Sequence, residues 1–219
     1  MFEDKAGAND RIRIKICGIT NLADARLAIA CGADALGFNF YRGSKRYLDI
    51  NLQNDWLATL PADICKVAVL VNPTWAEATS LARRPFIDAL QLHGQEAPEF
   101  CQRLAQHRIR FVKALPVRGM KVVQAGDDFF TDTILLDSMS RRGFGGTGQV
   151  FPWSAGAQFV RAYPGLKVIL AGGLTPDNVA DAVATVRPFG VDVTSGVEAA
   201  SGRKDPVRLR AFFAALHRA

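Results

Sequence analysis

Residues 13–31 read RIKICGITNLADARLAIAC, and this stretch contains the unit from which the fold is predicted to be built. RIKIC is a short, nearly continuous apolar run that ends in a cysteine and is followed by a glycine. The apolar residues of NLADARLAIAC have the spacing of an amphipathic helix. The pattern therefore predicts a strand followed directly by a helix, with Cys17 at the carboxyl end of the strand.

The same strand-then-helix pattern recurs along the chain. Similar apolar runs occupy residues 35–40, 66–71, 89–93, 110–115, 133–137, 167–172 and 190–195. Their continuous apolar character is typical of parallel strands that are covered on both faces. Eight such units in 219 residues predict the α/β class, as a single-domain (β/α)8 TIM barrel. An open doubly wound sheet is the alternative, but its G-x-G-x-x-G fingerprint is missing after the first strand.

Composition limits the classes of partner. The chain is 49% hydrophobic, contains no apolar run of ~18 residues and is expected to be soluble and cytoplasmic. Lys and Arg exceed Asp and Glu by 27 to 21, but they form no long basic block, so neither a nucleic acid nor a membrane is expected as a partner. Residues 1–11 are expected to be a loose extension, and residues 12–219 to form the catalytic barrel.

Cysteines and histidines give no metal-binding pattern. The four cysteines lie far apart and never as C-x-x-C, which indicates reduced thiols rather than a zinc or dithiol site. Of the three histidines only His93 ends a predicted strand, so a metal cluster is not expected. Three of the cysteines are expected to fill the core, whereas Cys17 stands where a barrel places its chemistry.

Two glycine turns end the last two predicted strands. Gly172 and Gly173 follow strand seven, and Ser195 and Gly196 follow strand eight. Glycines let backbone N–H groups approach an anion, and a helix N-terminus favours negative charge. Either motif alone could simply make a tight turn, but their coincidence predicts a phosphate-binding site.

Cys17 and Asp137 end strands one and six and would lean toward the same mouth. A thiolate can act as a base and a partly desolvated carboxyl group as an acid, which together suffice for isomerisation by proton transfer. Core packing for Cys17 and helix capping for Asp137 remain the alternatives. His93 and Lys113 are predicted to line the mouth, and the Arg46 guanidinium is suited to binding a carboxylate.

The segment GFGGTGQVF, residues 143–151, follows strand six and is rich in glycine. It lacks the Lys-Ser/Thr of a phosphate-binding P-loop. A lid over the mouth, formed by Gly145, Gly146, Thr147 and Gly148, is the interpretation we favour, with an ordinary surface loop as the alternative.

Taken together, these motifs resemble the phosphoribosylanthranilate isomerase family of tryptophan biosynthesis over Arg13 to Phe212. The matching stretches are KICGIT, GADALGFNFY with SKRY, LQLHG, ILLDS, GGTGQVF, LAGGLTPDNV and VDVTSGVE with GRKD. The resemblance implies an Amadori rearrangement of a phosphorylated sugar that needs no metal and no cofactor. It also implies that Pro152 stands where the family usually has Asp or Asn.

The resemblance assigns roles residue by residue. Cys17 matches the general base, Asp137 the general acid, and Arg46 the residue that holds the anthranilate carboxylate. Gly172, Gly173, Ser195 and Gly196 match the phosphate turns, while His93 and Asp192 match supporting positions. Another phosphosugar isomerase or epimerase, or a non-catalytic phosphosugar-binding barrel, remains an alternative, and both a monomer and a homodimer are compatible with the sequence.

Overall fold

The computed structural model describes residues 11–122, 129–138 and 150–217. Within these ranges the side chains of residues 51–54 are not described. The strands are β1 Arg13–Cys17, β2 Ala35–Asn39, β3 Cys65–Leu70, β4 Ala89–Leu92, β5 Phe111–Arg118, β6 Lys121–Val122, β7 Thr133–Ser138, β8 Lys167–Leu170, β9 Gly190–Val193, β10 Glu198–Ala200 and β11 Arg203–Lys204. The helices are α1 Leu22–Ala30, α2 Ile50–Leu57, α3 Trp75–Ala82, α4 Pro98–Gln106, α5 Trp153–Ala162, α6 Val179–Val186 and α7 Pro206–Leu216.

Eight parallel strands close into a barrel. Their order around the barrel is β4, β3, β2, β1, β9, β8, β7, β5, and pairing of β4 with β5 completes the ring. All pairings among these eight strands are parallel, and helices follow most of them. The predicted (β/α)8 TIM barrel is therefore confirmed.

Side chains alternate between the two faces of each barrel strand, because successive residues of a strand point in opposite directions. On β7, Ile134 and Leu136 pack in the large core between sheet and helices, whereas Leu135 belongs to a separate interior cluster. Asp137 lies two residues beyond Leu135 and so shares its inward face. By the same alternation Lys15 and Cys17 share the inward face of β1. Two-sided burial explains why the strands are almost continuously apolar.

The chain departs from regular alternation of strand and helix at two places. After β5 the chain turns back as β6, which pairs antiparallel with β5, and the described residues between β5 and β7 contain no α-helix. After β9 a short 3₁₀ turn, Ser195–Val197, leads into the antiparallel pair β10 and β11 before α7. The second departure places Lys204 against the carboxyl end of β1, where it contacts Cys17.

Candidate active site

A cavity of about 560 Å³ opens at the carboxyl ends of the barrel strands. Its lining includes nine of the residues that the sequence singled out: Cys17, Arg46, His93, Asp137, Gly172, Gly173, Asp192, Ser195 and Gly196. These residues come from the ends of six different strands and the loops that follow them. The predicted lid residues 145–148 lie outside the described part of the chain. The roles assigned to all of these residues remain predictions.

Cys17 is the last residue of β1, and its side chain borders the cavity while only 7% of the residue is exposed. The Lys15 ammonium lies on the same face near the sulfur, since both would contact a Cβ at Gly37, and it donates to Asp192 at 2.8 Å. Burial alone would lower the pKa of Lys15, but the Asp192 carboxylate and the Cys17 sulfur outweigh it and raise that pKa above its ordinary value. A buried cation therefore stands beside the candidate base.

The backbone of Cys17 is fixed by a second buried lysine. Lys204 Nζ donates to the carbonyl oxygen of Cys17 at 2.6 Å and to that of Thr194 at 3.2 Å. The same ammonium contacts Glu198 Oε1 at 3.1 Å. Because one side chain joins the ends of β1 and β9, the position of the thiol is coupled to the turn that follows β9.

Asp137 lies near the end of β7 and contacts one neighbouring side chain closely. Its Oδ2 atom is 3.0 Å from His93 Nε2, while His93 Nδ1 is 2.8 Å from Gln91 Nε2. The other carboxylate oxygen, Oδ1, faces the turn at Gly172, where an added Cβ would lie 2.8 Å from it. Glycine is required at position 172 both by this close approach and by its φ of 84°.

Arg46 is held at the rim by Glu198. Arg46 Nε and Nη2 donate to Glu198 Oε1 and Oε2 at 2.8 and 2.6 Å. This bidentate geometry fixes the orientation of the guanidinium. This bond raises the pKa of Arg46. Burial tends to raise the pKa of Glu198, but Arg46 and Lys204 outweigh it and hold that pKa below its ordinary value. Burial lowers the pKa of Lys204. The Glu198 carboxylate opposes this shift only in part, because it is shared with Arg46.

The two glycine turns after β8 and β9 touch each other. A Cβ at Gly196 would lie 1.9 Å from the carbonyl oxygen of Leu174, so no other residue fits there without movement. Gly173 has a φ of 66°, and its carbonyl accepts from Asn178 Nδ2 at the start of α6. The two turns, including the 3₁₀ turn that begins at Ser195, therefore meet at one side of the cavity.

Sequence reasoning placed Lys113 at the mouth, and this was wrong. Lys113 is on the outward face of β5 and donates to Glu96 Oε2 at 2.7 Å and to the Gly94 carbonyl at 2.8 Å. It also missed Lys15, Gln91, Glu198 and Lys204. Period-two alternation along β1 and β4 was a usable signal for Lys15 and Gln91, because each shares a face with a residue already singled out.

The other cysteines differ from Cys17 in their surroundings. Burial raises the pKa of Cys65 and of Cys101 to about 11, and it also raises the pKa of Cys31. These three thiols are therefore poor nucleophiles at neutral pH.

Across residues 11–122, 129–138 and 150–217 no three His, Cys, Asp or Glu side chains converge so as to hold a metal ion. Within the same ranges no helix has the length and apolar character needed to span a bilayer.

The fold and the cavity are those of a (β/α)8-barrel enzyme that acts at the carboxyl ends of its strands. A family model described as N-(5′-phosphoribosyl)anthranilate (PRA) isomerase matches residues 14–215. The chain belongs to the N-(5′-phosphoribosyl)anthranilate isomerase family.

Individual relatives agree with this assignment. The chain is 44% identical over 201 residues to the N-(5′-phosphoribosyl)anthranilate isomerase of Geobacter sulfurreducens, covering 92% of this chain and 96% of the relative. The crystal structure of phosphoribosyl anthranilate isomerase from Thermus thermophilus is 34% identical, with a TM-score of 0.84 over 94% of this chain and 99% of that chain. The crystal structure of a phosphoribosyl anthranilate isomerase in complex with reduced 1-(o-carboxyphenylamino)-1-deoxyribulose 5-phosphate is 35% identical. Its TM-score is 0.78, and the match covers 95% of this chain and 100% of that chain.

Proposed function

We propose that the protein catalyses the Amadori rearrangement of N-(5′-phosphoribosyl)anthranilate to 1-(2-carboxyphenylamino)-1-deoxyribulose 5-phosphate, with Asp137 as general acid and Cys17 as general base. The observation that carries this proposal is that the two side chains border one cavity from β1 and β7, which are three strands apart around the barrel. The cavity that they border has a volume of about 560 Å³. The family and the ligand of a solved relative support the identity of the substrate.

The first step is opening of the ribose ring. Asp137 gives its proton to the ring oxygen, and the bond from that oxygen to C1 breaks. The lone pair of the anthranilate nitrogen forms a double bond to C1, which gives a protonated Schiff base and leaves Asp137 as a carboxylate. His93, 3.0 Å from Asp137 Oδ2, is placed to stabilise that carboxylate by a hydrogen bond.

The second step is removal of the C2 proton by the Cys17 thiolate. The electron pair of the C2–H bond forms a C1–C2 double bond, and the nitrogen recovers its lone pair, so that a neutral enolamine results. Tautomerisation of this enolamine gives the ketone. The buried Lys15 ammonium beside the sulfur stabilises negative charge on it. General acid and general base each contribute about 10²-fold to 10⁴-fold in such reactions.

Binding groups flank the acid and the base. We assign the substrate phosphate to the turns at Gly172 and Gly173 and at Ser195 and Gly196, which line the cavity and whose glycines let backbone N–H groups approach an anion. We assign the anthranilate carboxylate to Arg46, whose Nη1 is not used by Glu198. Asp192 acts mainly through Lys15 in this arrangement. Holding both ends of the substrate orients C2 toward the sulfur.

Other parts of the proposal follow from the family rather than from the described residues. A biosynthetic role in tryptophan formation favours the cytoplasm. The segment 145–148 is proposed to cover the mouth during the reaction, and a monomer or a homodimer fits the sequence. The substrate is a small phosphorylated molecule in every version of the proposal.

The purified protein should convert freshly made N-(5′-phosphoribosyl)anthranilate, and the loss of substrate fluorescence should follow protein concentration. Binding of the reduced product analogue, measured by calorimetry, reports on the cavity separately from turnover. Binding of the analogue without any change in fluorescence would contradict the proposal and favour a non-catalytic phosphosugar-binding barrel. Turnover of a different phosphosugar in place of this substrate would favour another isomerase or epimerase.

A further inference from the structure

Gln91 is a buried polar residue that the two-residue mechanism does not use. It is 1% exposed and lies on the inward face of β4, two residues before His93. Its Nε2 atom is 2.8 Å from His93 Nδ1, whose ring continues to Asp137 through Nε2. Gln91 Oε1 is buried and has no hydrogen-bond partner in the described part of the chain.

The amide contact determines which nitrogen of His93 carries the proton. An amide nitrogen only donates hydrogen bonds, so His93 Nδ1 must accept from Gln91 Nε2 and cannot itself be protonated. The ring proton then resides on Nε2.

The His93 tautomer in turn determines which oxygen of Asp137 can carry a proton. His93 Nε2–H donates to Asp137 Oδ2 at 3.0 Å, which leaves Oδ1 for the acidic proton. Oδ1 is the oxygen that faces Gly172 and the glycine turns. We infer that Gln91 is a positioning residue that fixes the Nε2–H tautomer of His93 and so directs the Asp137 proton, on Oδ1, toward the substrate. This inference rests on the proposed role of Asp137 as the acid.

Packing gives no other reason for an amide at position 91. A buried amide oxygen without a partner destabilises a folded protein, and an apolar side chain of similar volume would avoid that cost. The neighbouring loop is already fixed by other bonds: Glu96 Oε1 accepts from the backbone N–H groups of Asn72 and Gly94, and Lys113 Nζ donates to Glu96 Oε2. Those bonds fix the loop backbone, whereas the His93 ring nitrogen Nδ1 is contacted by Gln91, which itself lines the cavity.

Nitrogen NMR of ¹⁵N-histidine-labelled protein tests the inference without any variant. The three rings are those of His93, His107 and His217, and His107 is an internal control because its Nδ1 donates to the Arg103 carbonyl at 2.8 Å and must carry the proton. At neutral pH we expect His93 to show a protonated Nε2 and a bare Nδ1, the opposite of His107. A His93 ring protonated on Nδ1, alone or together with Nε2, would overturn the inference.

Two variants then connect the tautomer to turnover. Gln91→Met keeps the volume without a donor and should give mixed His93 tautomers and a kcat lower by about 10-fold, with KM little changed, part of what a general acid contributes. Gln91→Glu replaces the donor by an acceptor and should select Nδ1–H and lower kcat further. Wild-type kcat in Gln91→Met together with mixed tautomers would contradict the inference.

Failure of the inference can be told apart from failure of the proposed function. Asp137→Asn tests the acid itself, because it removes the proton donor whatever the His93 tautomer is. If Asp137→Asn keeps wild-type turnover, the proposed function fails. If Asp137→Asn abolishes turnover but wild-type His93 is protonated on Nδ1, only the role of Gln91 fails.

Discussion

Lys15 Nζ lies 2.8 Å from Asp192 Oδ1 inside the barrel, where the lysine is fully buried and the aspartate side chain is 6% exposed. The two residues are far apart in sequence and meet because β1 pairs in parallel with β9, with Lys15 opposite Asp192. Charges buried to this degree are kept only when they are paired, since removing one partner leaves the other unpaired in the interior. The pair places a fixed positive charge beside Cys17.

Lys15→Met should lower the free energy of unfolding by about 3–5 kcal/mol, because it leaves Asp192 buried and unpaired. Combining it with Asp192→Asn removes the unpaired charge and should recover much of this loss in urea denaturation. Turnover of the double variant should stay below that of Asp192→Asn alone, since the sulfur has lost its neighbouring cation. Equal turnover in those two variants would show that Lys15 serves stability only.

Arg46→Ala should raise KM by at least about 10-fold with a smaller change in kcat, because it removes charge-assisted hydrogen bonds to the substrate carboxylate. Arg42→Ala is the matched control, since Arg42 is exposed, stacks on the Tyr47 ring and does not border the cavity. Steady-state kinetics of both variants measure KM and kcat and so test this prediction. An unchanged KM in Arg46→Ala would mean that the guanidinium only supports Glu198.

Acid should weaken the contribution of Glu198 to stability. Its pKa in the folded protein lies below the ordinary value of 4.5, so its ion pairs are fully stabilising above about pH 4.5 and are lost as pH falls through the folded-state pKa. The stability advantage of wild type over Glu198→Gln should therefore narrow as the pH falls below about 4.5. Chemical denaturation at several pH values measures this, and a constant gap would contradict it.

Pro152 occupies the N-cap position of α5, where no side-chain cap forms in the described structure. Aspartate at an N-cap accepts from the free N–H groups of the first turn and stabilises a helix by about 1 kcal/mol relative to alanine. Pro152→Asp should thus melt about 2–4 °C above Pro152→Ala. Using alanine as the reference cancels the effect of losing the proline ring, and equal melting temperatures would show that the N-cap is already satisfied.

Local patterns predicted the barrel and eight of the residues that line the cavity, and the family resemblance added a ninth, Asp192. Apolar runs give the strands, and a residue at the end of a parallel strand must face the common mouth. The partners were harder to predict. Arg46 and Glu198 are 152 residues apart in sequence. Their contact depends on the 3₁₀ turn and the strand pair after β9, which have no apolar pattern that would predict them. Lys113 was misplaced because residues alternate between the two faces of its strand. Its neighbours Val112 and Ala114 face the barrel interior, so Lys113 faces outward.

Turnover of Cys17→Ser and Asp137→Asn tests the central claim most directly. Each variant should lose most of kcat, by about 10²-fold or more, while binding the reduced product analogue and melting as wild type does. Cys31→Ser, which changes a thiol outside the cavity, should keep full activity as the control. Near-wild-type rates in either variant would contradict an acid and a base acting across the mouth of this barrel.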